Sequence, residues 1–211
     1  MFYPDSVERT ELSRRVVERV DGRRGVIASG HVADGPDEQL RDVESIAATG
    51  VDAVVLVANR FAEAHEPDGL WFERTLEFVE RVGTGIQLGL YECPYPYKRV
   101  VSIDNLVEIA FSGRFHFLKD TSCVTPVLEE RARALEGSRL QLYNAHSATL
   151  LECLRCCYAG FSGVMANLHP DLYSWLLANH KTSPHSVEVQ DVLGIMHLPR
   201  RCSIRLARNT T

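Results

Sequence analysis

A lysine ends an apolar segment near the middle of the chain, residues 115–122, with the order FHFLKDTS. Alternation along a strand predicts that Phe115, Phe117 and Lys119 face one side. A free lysine has a pKa of about 10.4, so roughly one amine in a few thousand is neutral at pH 7. Desolvation by aromatic neighbours lowers this pKa and makes the amine a nucleophile toward a carbonyl carbon. Lys119 is therefore a candidate imine-forming residue; the alternative is a surface lysine that extends into solvent or pairs with a carboxylate.

A tyrosine ends the preceding apolar segment, residues 88–94, with the order LGLYECP. Consecutive strands of a parallel barrel are adjacent, so Tyr91 and Lys119 are predicted to face one cavity, one strand spacing apart. A phenol beside an imine-forming lysine can move protons while a carbinolamine forms and breaks down. The alternative for Tyr91 is an aromatic residue at the rim of the barrel whose hydroxyl meets water.

Short apolar segments alternate with longer amphipathic segments from Arg24 onward, which is typical of βα units around a parallel sheet. The predicted strands cover residues 25–29, 53–57, 86–91, 115–119, 140–144 and 161–165. The predicted helices cover residues 6–20, 37–49, 70–82, 103–111, 125–135, 147–158 and 170–179. Six βα units are therefore expected.

This alternation predicts either a (β/α) barrel or an open doubly wound sheet. No Gly-x-Gly-x-x-Gly follows the first predicted strand, which argues against the nucleotide-binding form of the open sheet. We therefore favour an α/β fold of the (β/α)8 TIM-barrel type, incomplete, because a full barrel has eight strands in about 250 residues. Residues 1–180 are predicted to form the partial barrel domain, and residues 181–211 a C-terminal segment for which no structure is predicted.

The composition, with 45% hydrophobic and 24% charged residues, supplies enough apolar material for a globular core. The net charge of -5 argues against nucleic acids and anionic membranes as partners, because both require a basic face. The sequence shows no signal-peptide pattern and no apolar run near the roughly 18 residues that span a bilayer. A cytoplasmic protein is expected.

The cysteines do not show the spacing of a secreted disulfide framework, so reduced thiols are expected at all six positions, 93, 123, 153, 156, 157 and 202. Cys153, Cys156 and Cys157 fall in an apolar helical pattern without a second ligand pair, which predicts buried thiols and no metal site. A metal-dependent aldolase would need His and carboxylate ligands at the strand ends. His31 and His146 lie near strand ends but have no evident acidic companion, so this function is only a minor alternative. Both histidines are expected to be polar residues at the rim.

Three short motifs lie at the predicted strand ends. Tyr91-x-x-Pro94 ends one strand, the sequence LKDTS at residues 118–122 ends the next, and Gly160-x-x-Gly163-Val164 leads into the last. In order and spacing this series resembles the dihydrodipicolinate synthase and N-acetylneuraminate lyase family, from about residue 7 to residue 179. The resemblance implies a class I aldolase mechanism, in which Lys119 condenses with pyruvate or a related 2-oxo acid and the enamine adds to, or is released from, an aldehyde. It implies no cofactor other than the covalent lysine imine.

The resemblance also implies roles for further residues. Tyr91 corresponds to the proton-relay tyrosine of the family, and the substrate cavity is expected to be lined by Val164, Asn144, Phe61 and Arg99. Phe61 stands near the place where the synthase branch carries a second relay tyrosine. The partners implied are a small 2-oxo acid, an aldehyde and further copies of the chain in a homo-oligomer.

The chain departs from the family pattern in two ways. The family's Gly-Thr/Ser-Thr-Gly-Glu motif, which holds the substrate carboxylate, would precede Met1, so the carboxylate pocket is expected to be absent from this sequence. Pro96 stands where the synthase branch has an arginine for its aldehyde partner, and Lys98 or Arg99 would have to replace it. A non-catalytic barrel fragment, or a binding module for small molecules, is therefore the alternative function.

The last residues, 199–211, contain four arginines and no acidic residue and do not resemble the family's C-terminal helices. A truncated or misread gene product and a genuine basic tail both account for this composition.

Overall fold

The fold is built on a single parallel sheet whose strands follow one another in chain order. The computed structural model describes residues 3–197, and residues 199–211 with their arginines, like Cys202, lie outside this range. Within it, six strands pair in the order β1 to β6 and curl into a half-barrel. The strands are β1 (Ile27–Ala28), β2 (Ala53–Val57), β3 (Leu88–Tyr91), β4 (Phe115–Asp120), β5 (Gln141–Asn144) and β6 (Gly160–Phe161).

Helices connect the strands and cover the convex face of the sheet. They are α1 (Ser6–Val20), α2 (Pro36–Ala47), α3 (Asp68–Arg81), α4 (Ile103–Phe111), α5 (Thr125–Ala134), α6 (Leu150–Arg155), α7 (Pro170–Asn179) and α8 (Ser186–His197). Because each connection returns the chain to the next strand position, the C-terminal ends of all the strands lie at one edge. None of the helices between residues 3 and 197 combines the length and the apolar composition that a membrane crossing requires.

The main core lies between the sheet and the helices. Val54, Leu56, Leu90 and Leu118 alternate along β2 to β4 and are fully buried together with apolar residues of α2 to α5. Residues of opposite parity point to the concave face, as expected for a strand with a period of two residues. The side chains that could act on a ligand therefore belong to this second set.

The structure confirms an α/β fold with six parallel βα units and reveals several differences from the prediction. α8 was not predicted, and it packs on α6 and α7. The sixth strand was predicted to run to Met165, but β6 ends at Phe161, and Met165 lies in a short 3-10 turn (Val164–Asn167). Phe115 joins the buried core and does not share the face of Lys119, because the pairing of β3 with β4 shifts register between Leu88 and Gly89.

The cysteine prediction was partly wrong. α6 ends at Arg155, so Cys156 and Cys157 follow the helix and are partly or fully exposed. Cys153 is buried inside the helix, as predicted, and all five cysteines of the described range are free thiols.

The two glycines that begin and follow β6 are required by close packing. A Cβ atom on Gly163 would stand 2.7 Å from the carbonyl oxygen of Ala145 and 2.1 Å from the ring of Phe161. A Cβ atom on Gly160 would stand 3.2 Å from Leu177 and 3.3 Å from Tyr143. The spacing Gly160-x-x-Gly163 therefore lets the chain pass between β5 and α7.

Gly163→Ala is expected to lower the free energy of unfolding by about 1 to 3 kcal/mol, because a backbone carbonyl cannot move aside as a flexible side chain can. Urea unfolding measures the change. Gly69→Ala in α3 is the matched control: no atom lies within 4 Å of its Cβ position, so a gain of about 0.5 to 1 kcal/mol is expected. Equal losses in both variants would contradict the packing explanation.

Candidate active site at the strand ends

Tyr91 and Lys119 meet at the C-terminal ends of β3 and β4. The two residues are direct partners in the parallel pairing of these strands. The Lys119 Nζ atom lies 4.3 Å from the centroid of the Tyr91 ring, over its face. The predicted juxtaposition of these two side chains is therefore present in the structure.

The surroundings of this pair follow from strand register. Val57 pairs with Tyr91 on one side, and Tyr143 pairs with Lys119 on the other, which gives a row of four side chains across β2 to β5. The row below it contains Gly89 and Phe117. A Cβ atom on Gly89 would stand 2.1 Å from the Phe117 ring, so this ring lies directly on the glycine. The candidate site thus has an aromatic floor and a tyrosine on each neighbouring strand.

Burial changes the protonation behaviour of both residues. Desolvation lowers the pKa of Lys119 from its usual 10.5, and the charge of Cys93 acts weakly in the opposite direction. Desolvation, followed by the charge of Cys93 and a hydrogen bond with it, raises the pKa of Tyr91 to about 12. A larger fraction of the amine is therefore neutral at a given pH, while the phenol keeps its proton throughout the neutral range.

A buried ionic network lies directly behind this pair. Glu92 and Asp120, the residues that follow Tyr91 and Lys119, are fully buried, and both contact the guanidinium of Arg131 in α5. The Tyr158 hydroxyl donates to Asp120 Oδ2 at 2.8 Å. The acidic residues of both motifs therefore point away from the concave face.

Two of the predicted substrate-binding residues hold loops together. Arg99 pairs with Asp68 at 2.7 Å and donates to the carbonyl oxygens of Glu63 and Glu66. Phe61 is buried in an aromatic cluster with His31, Trp71 and Phe78. The structure does not bring either side chain to Lys119, and their predicted contact with substrate stays a prediction.

The other two predicted substrate-binding residues lie beyond β5 and β6. Asn144 is fully buried, accepts from the His146 N–H at 2.8 Å and donates to Thr149 and Cys153. It therefore fixes the turn that follows β5. Val164 is 76% exposed at the start of the 3-10 turn after β6. Substrate binding by both residues likewise stays a prediction.

Sequence reasoning missed several side chains of the site. Tyr143 carries no motif, and its position beside Lys119 follows only from the register of β5. Cys93 was treated only as one of six reduced thiols, although it influences the pKa of both Tyr91 and Lys119. A count of alternate positions from the ends of β4 and β5 would have found Tyr143.

Comparison with solved structures identifies similar folds. Dihydrodipicolinate synthase of Acinetobacter baumannii, solved with pyruvate, superposes with a TM-score of 0.81 over 92% of this chain and 66% of its own, at 21% identity. The second dihydrodipicolinate synthase of Bacillus anthracis gives 0.80 over 92% and 65%, at 19% identity. The prophage protein YagE of Escherichia coli, of the same family and also solved with pyruvate, gives 0.77 over 90% and 64%, at 15% identity.

These comparisons establish the fold. Many of the structural neighbours are dihydrodipicolinate synthases, as the motif series predicted, and at identities of 14 to 21% the similarity extends to the arrangement of the six βα units. The chain spans just under two thirds of the length of these three proteins, 66%, 65% and 64% in the order given. No protein-family model and no curated protein sequence matches the chain.

His31 is part of the core and does not lie at the rim, which corrects the prediction. It follows β1 and is fully buried, with its ring centroid 4.6 Å from that of Phe61 and 4.8 Å from that of Phe78. Its Nδ1 atom accepts from the Val57 N–H at 3.1 Å. Burial, assisted by the charge of Arg60, lowers the pKa of His31 to about 3, so the folded protein holds the imidazole neutral.

This burial predicts a stability that falls as the pH drops from 6.5 toward about 3. In that window only the unfolded chain binds a proton at position 31, so the loss approaches about 1.4 kcal/mol per pH unit. His31→Asn, whose side-chain oxygen can replace Nδ1 as the acceptor, is expected to remove this part of the slope. His116→Asn, at an exposed position of β4, is the control. Urea unfolding at about pH 5 and pH 7 measures the difference, and an unchanged slope in His31→Asn would contradict the assignment.

Proposed function

We propose that the chain is a Schiff-base-forming lyase or aldolase that acts on pyruvate or a related 2-oxo acid through Lys119. The observation that carries the proposal is a desolvated amine 4.3 Å from a tyrosine ring at the C-terminal ends of parallel strands. In barrel enzymes this edge of the sheet bears the catalytic residues. Two of the solved structures with the same fold contain pyruvate, which supports the choice of substrate class.

In the proposed reaction, the neutral Lys119 Nζ attacks the keto carbon and forms a carbinolamine. Loss of the carbinolamine oxygen as water gives the imine, and loss of a proton from the adjacent carbon gives the enamine. The enamine carbon then adds to an aldehyde, or in the reverse direction the aldehyde is released. Tyr91, which keeps its proton at neutral pH, donates to the departing oxygen and recovers a proton from the next step. The lysine serves as the electron sink, so the reaction needs no cofactor.

Incubation with pyruvate and cyanoborohydride is expected to place a reduced adduct on the peptide that contains Lys119. Because burial lowers the pKa of this amine, the adduct yield should rise with pH and level off below pH 10.5. The chain has only three lysines, so the peptides that contain Lys98 and Lys181 are internal references in the same digest. Mass spectrometry of the peptides gives the yield at each position.

Two variants complete this experiment. Lys119→Ala is expected to abolish the adduct, and Lys181→Ala to leave it unchanged. Equal labelling of all three lysines, or no adduct at saturating pyruvate, would refute the imine chemistry and favour a small-molecule binding module.

Tyr91→Phe is expected to slow adduct formation by about 10² to 10⁴, the usual contribution of a positioned acid or base. The aromatic ring below the amine is kept, so the loss reports on the hydroxyl alone. Tyr143→Phe on the opposite side of Lys119 is the comparison, because its hydroxyl bonds Gln141 Oε1 within its own strand at 3.0 Å. The rates of pyruvate adduct formation decide; equal rates in Tyr91→Phe and wild type would exclude Tyr91 as the relay.

The remaining expectations belong to this proposal. The proposed cavity extends from Lys119 toward Val164, Asn144, Phe61 and Arg99, and an aldehyde is the proposed second substrate. The six strands are proposed to be part of an eight-stranded barrel of the kind that the longer structural neighbours represent. A homo-oligomer in the cytoplasm is proposed as the working form, although one neighbour is described as a monomeric variant.

A further inference from the structure

Three charged side chains are fully buried directly behind the candidate site. The Arg131 guanidinium lies 2.6 Å from Glu92 Oε1 and 2.8 Å from Asp120 Oδ2, and all three side chains have 0% exposure. A second nitrogen contact reaches Glu92 Oε2 at 3.2 Å. Arg131 also donates to the carbonyl oxygen of Val101 at 2.7 Å. One cation in α5 therefore bridges two carboxylates that belong to different strand ends.

The two carboxylates hold backbone groups as well as the arginine. Glu92 accepts from the Thr121 N–H at 2.9 Å and from the Val101 N–H at 2.8 Å. The Thr121 hydroxyl donates to the carbonyl oxygen of Glu92 at 2.7 Å. The ends of β3 and β4 are thus joined by side-chain bonds immediately beyond Tyr91 and Lys119.

Asp120 fixes the other side of the same strand end. Its Oδ1 atom accepts from both the backbone N–H and the hydroxyl of Ser122 at 2.7 Å. Its Oδ2 atom binds Tyr158, the residue two positions before β6. A shift of the pairing by one residue at either strand end would therefore break several of these buried hydrogen bonds and ion pairs at once.

Stability alone is a weak reason for such a network. Desolvating three charges is costly, and well-packed apolar side chains of similar size are often as stable as a buried ion pair. The buried ion pairs add directional specificity, because each carboxylate oxygen of Glu92 and Asp120 accepts from donors in fixed positions. The network therefore specifies how the ends of β3 and β4 stand relative to each other.

We propose that Arg131 is a positioning residue, which acts through Glu92 and Asp120 to hold the Lys119 amine over the Tyr91 ring. The inference rests on Lys119 being the nucleophile of the proposed function. Arg131 touches neither side chain of the pair, and its effect is carried by the residues that follow them in the chain. A displacement of about 1 Å at a reacting group can cost on the order of 100-fold in rate, so a bond network of this kind matters to the reaction.

Competitive acetylation with trace acetic anhydride over a pH range tests the inference without any substrate. It reports the pKa and the reactivity of each of the three lysines separately. In the wild type, Lys119 is expected to titrate below the usual lysine pKa of about 10.4, because burial desolvates the amine. Glu92→Gln removes one acceptor but keeps the pair of Arg131 with Asp120, so a folded protein is expected. In this variant a displaced amine regains contact with water, so the Lys119 pKa should rise toward the usual lysine value of about 10.4, whereas loss of the negative charge alone would lower it. Pyruvate adduct formation should fall by about tenfold or more.

A second variant removes all three charges together, Glu92→Gln with Asp120→Asn and Arg131→Met, and is expected to give the same rise in pKa. Arg9→Met is the matched control, because Arg9 forms a largely buried ion pair with Asp42 between α1 and α2 at 3.2 Å. It should lower the melting temperature without moving the Lys119 pKa. An unchanged or lowered Lys119 pKa in both network variants would overturn the inference and leave the network a structural role alone. A raised pKa in a chain that never traps pyruvate would support the positioning role and refute the proposed function.

Discussion

The direct pairing of Tyr91 with Lys119 is the constraint on which the candidate site depends. In a parallel sheet, neighbouring residues of adjacent strands on one face stand about 4.8 Å apart, so register alone decides which side chains meet. The shift between Leu88 and Gly89 is what brings the two strand ends into this register while Phe115 stays in the core. The positions of the candidate site, its aromatic floor and the buried network all follow from this one pairing.

Two opposing effects act on the Lys119 nitrogen. The face of the Tyr91 ring attracts the ammonium, an effect of about 0.5 to 2 kcal/mol that favours the charged form. Burial disfavours the same form and lowers the pKa of the amine. The ring thus orients the nitrogen, while burial favours its neutral form. An amine held in this way suits the proposed attack on a carbonyl group.

Much of the fold was predictable from the sequence, because its local signals are strong. The bounds of α1, α4 and α7 agree with the prediction, and β2 was predicted residue for residue. α1 and α4 have clear apolar periodicity, β2 is a continuous apolar run, and Pro170 and Ser102 mark where two of the helices begin. α8 was missed because Val187, Val192 and Ile195 are exposed, so its apolar residues do not form one buried stripe. Phe115 was misplaced because no local signal records a register shift.

The candidate site was predictable only in part. Lys119 and Tyr91 could be found because an unusual residue type ends an apolar strand. Arg131 could not, since it is 39 residues from Glu92, and a charged residue in an amphipathic helix normally faces solvent. Asn144 and Arg99 were predicted to bind substrate, but their polar groups hold loops in place. A polar residue at or after a strand end can therefore have a structural role.

The contact of Gly89 with Phe117 ties the evolution of two positions together. The ring occupies the volume that any side chain on residue 89 would need. A descendant of this sequence that gains a larger residue at position 89 must therefore accept a smaller one at position 117. If the residue at 117 became smaller first, while 89 stayed glycine, a void would open beneath the amine. Among related sequences, residue sizes at these two positions should accordingly be inversely correlated.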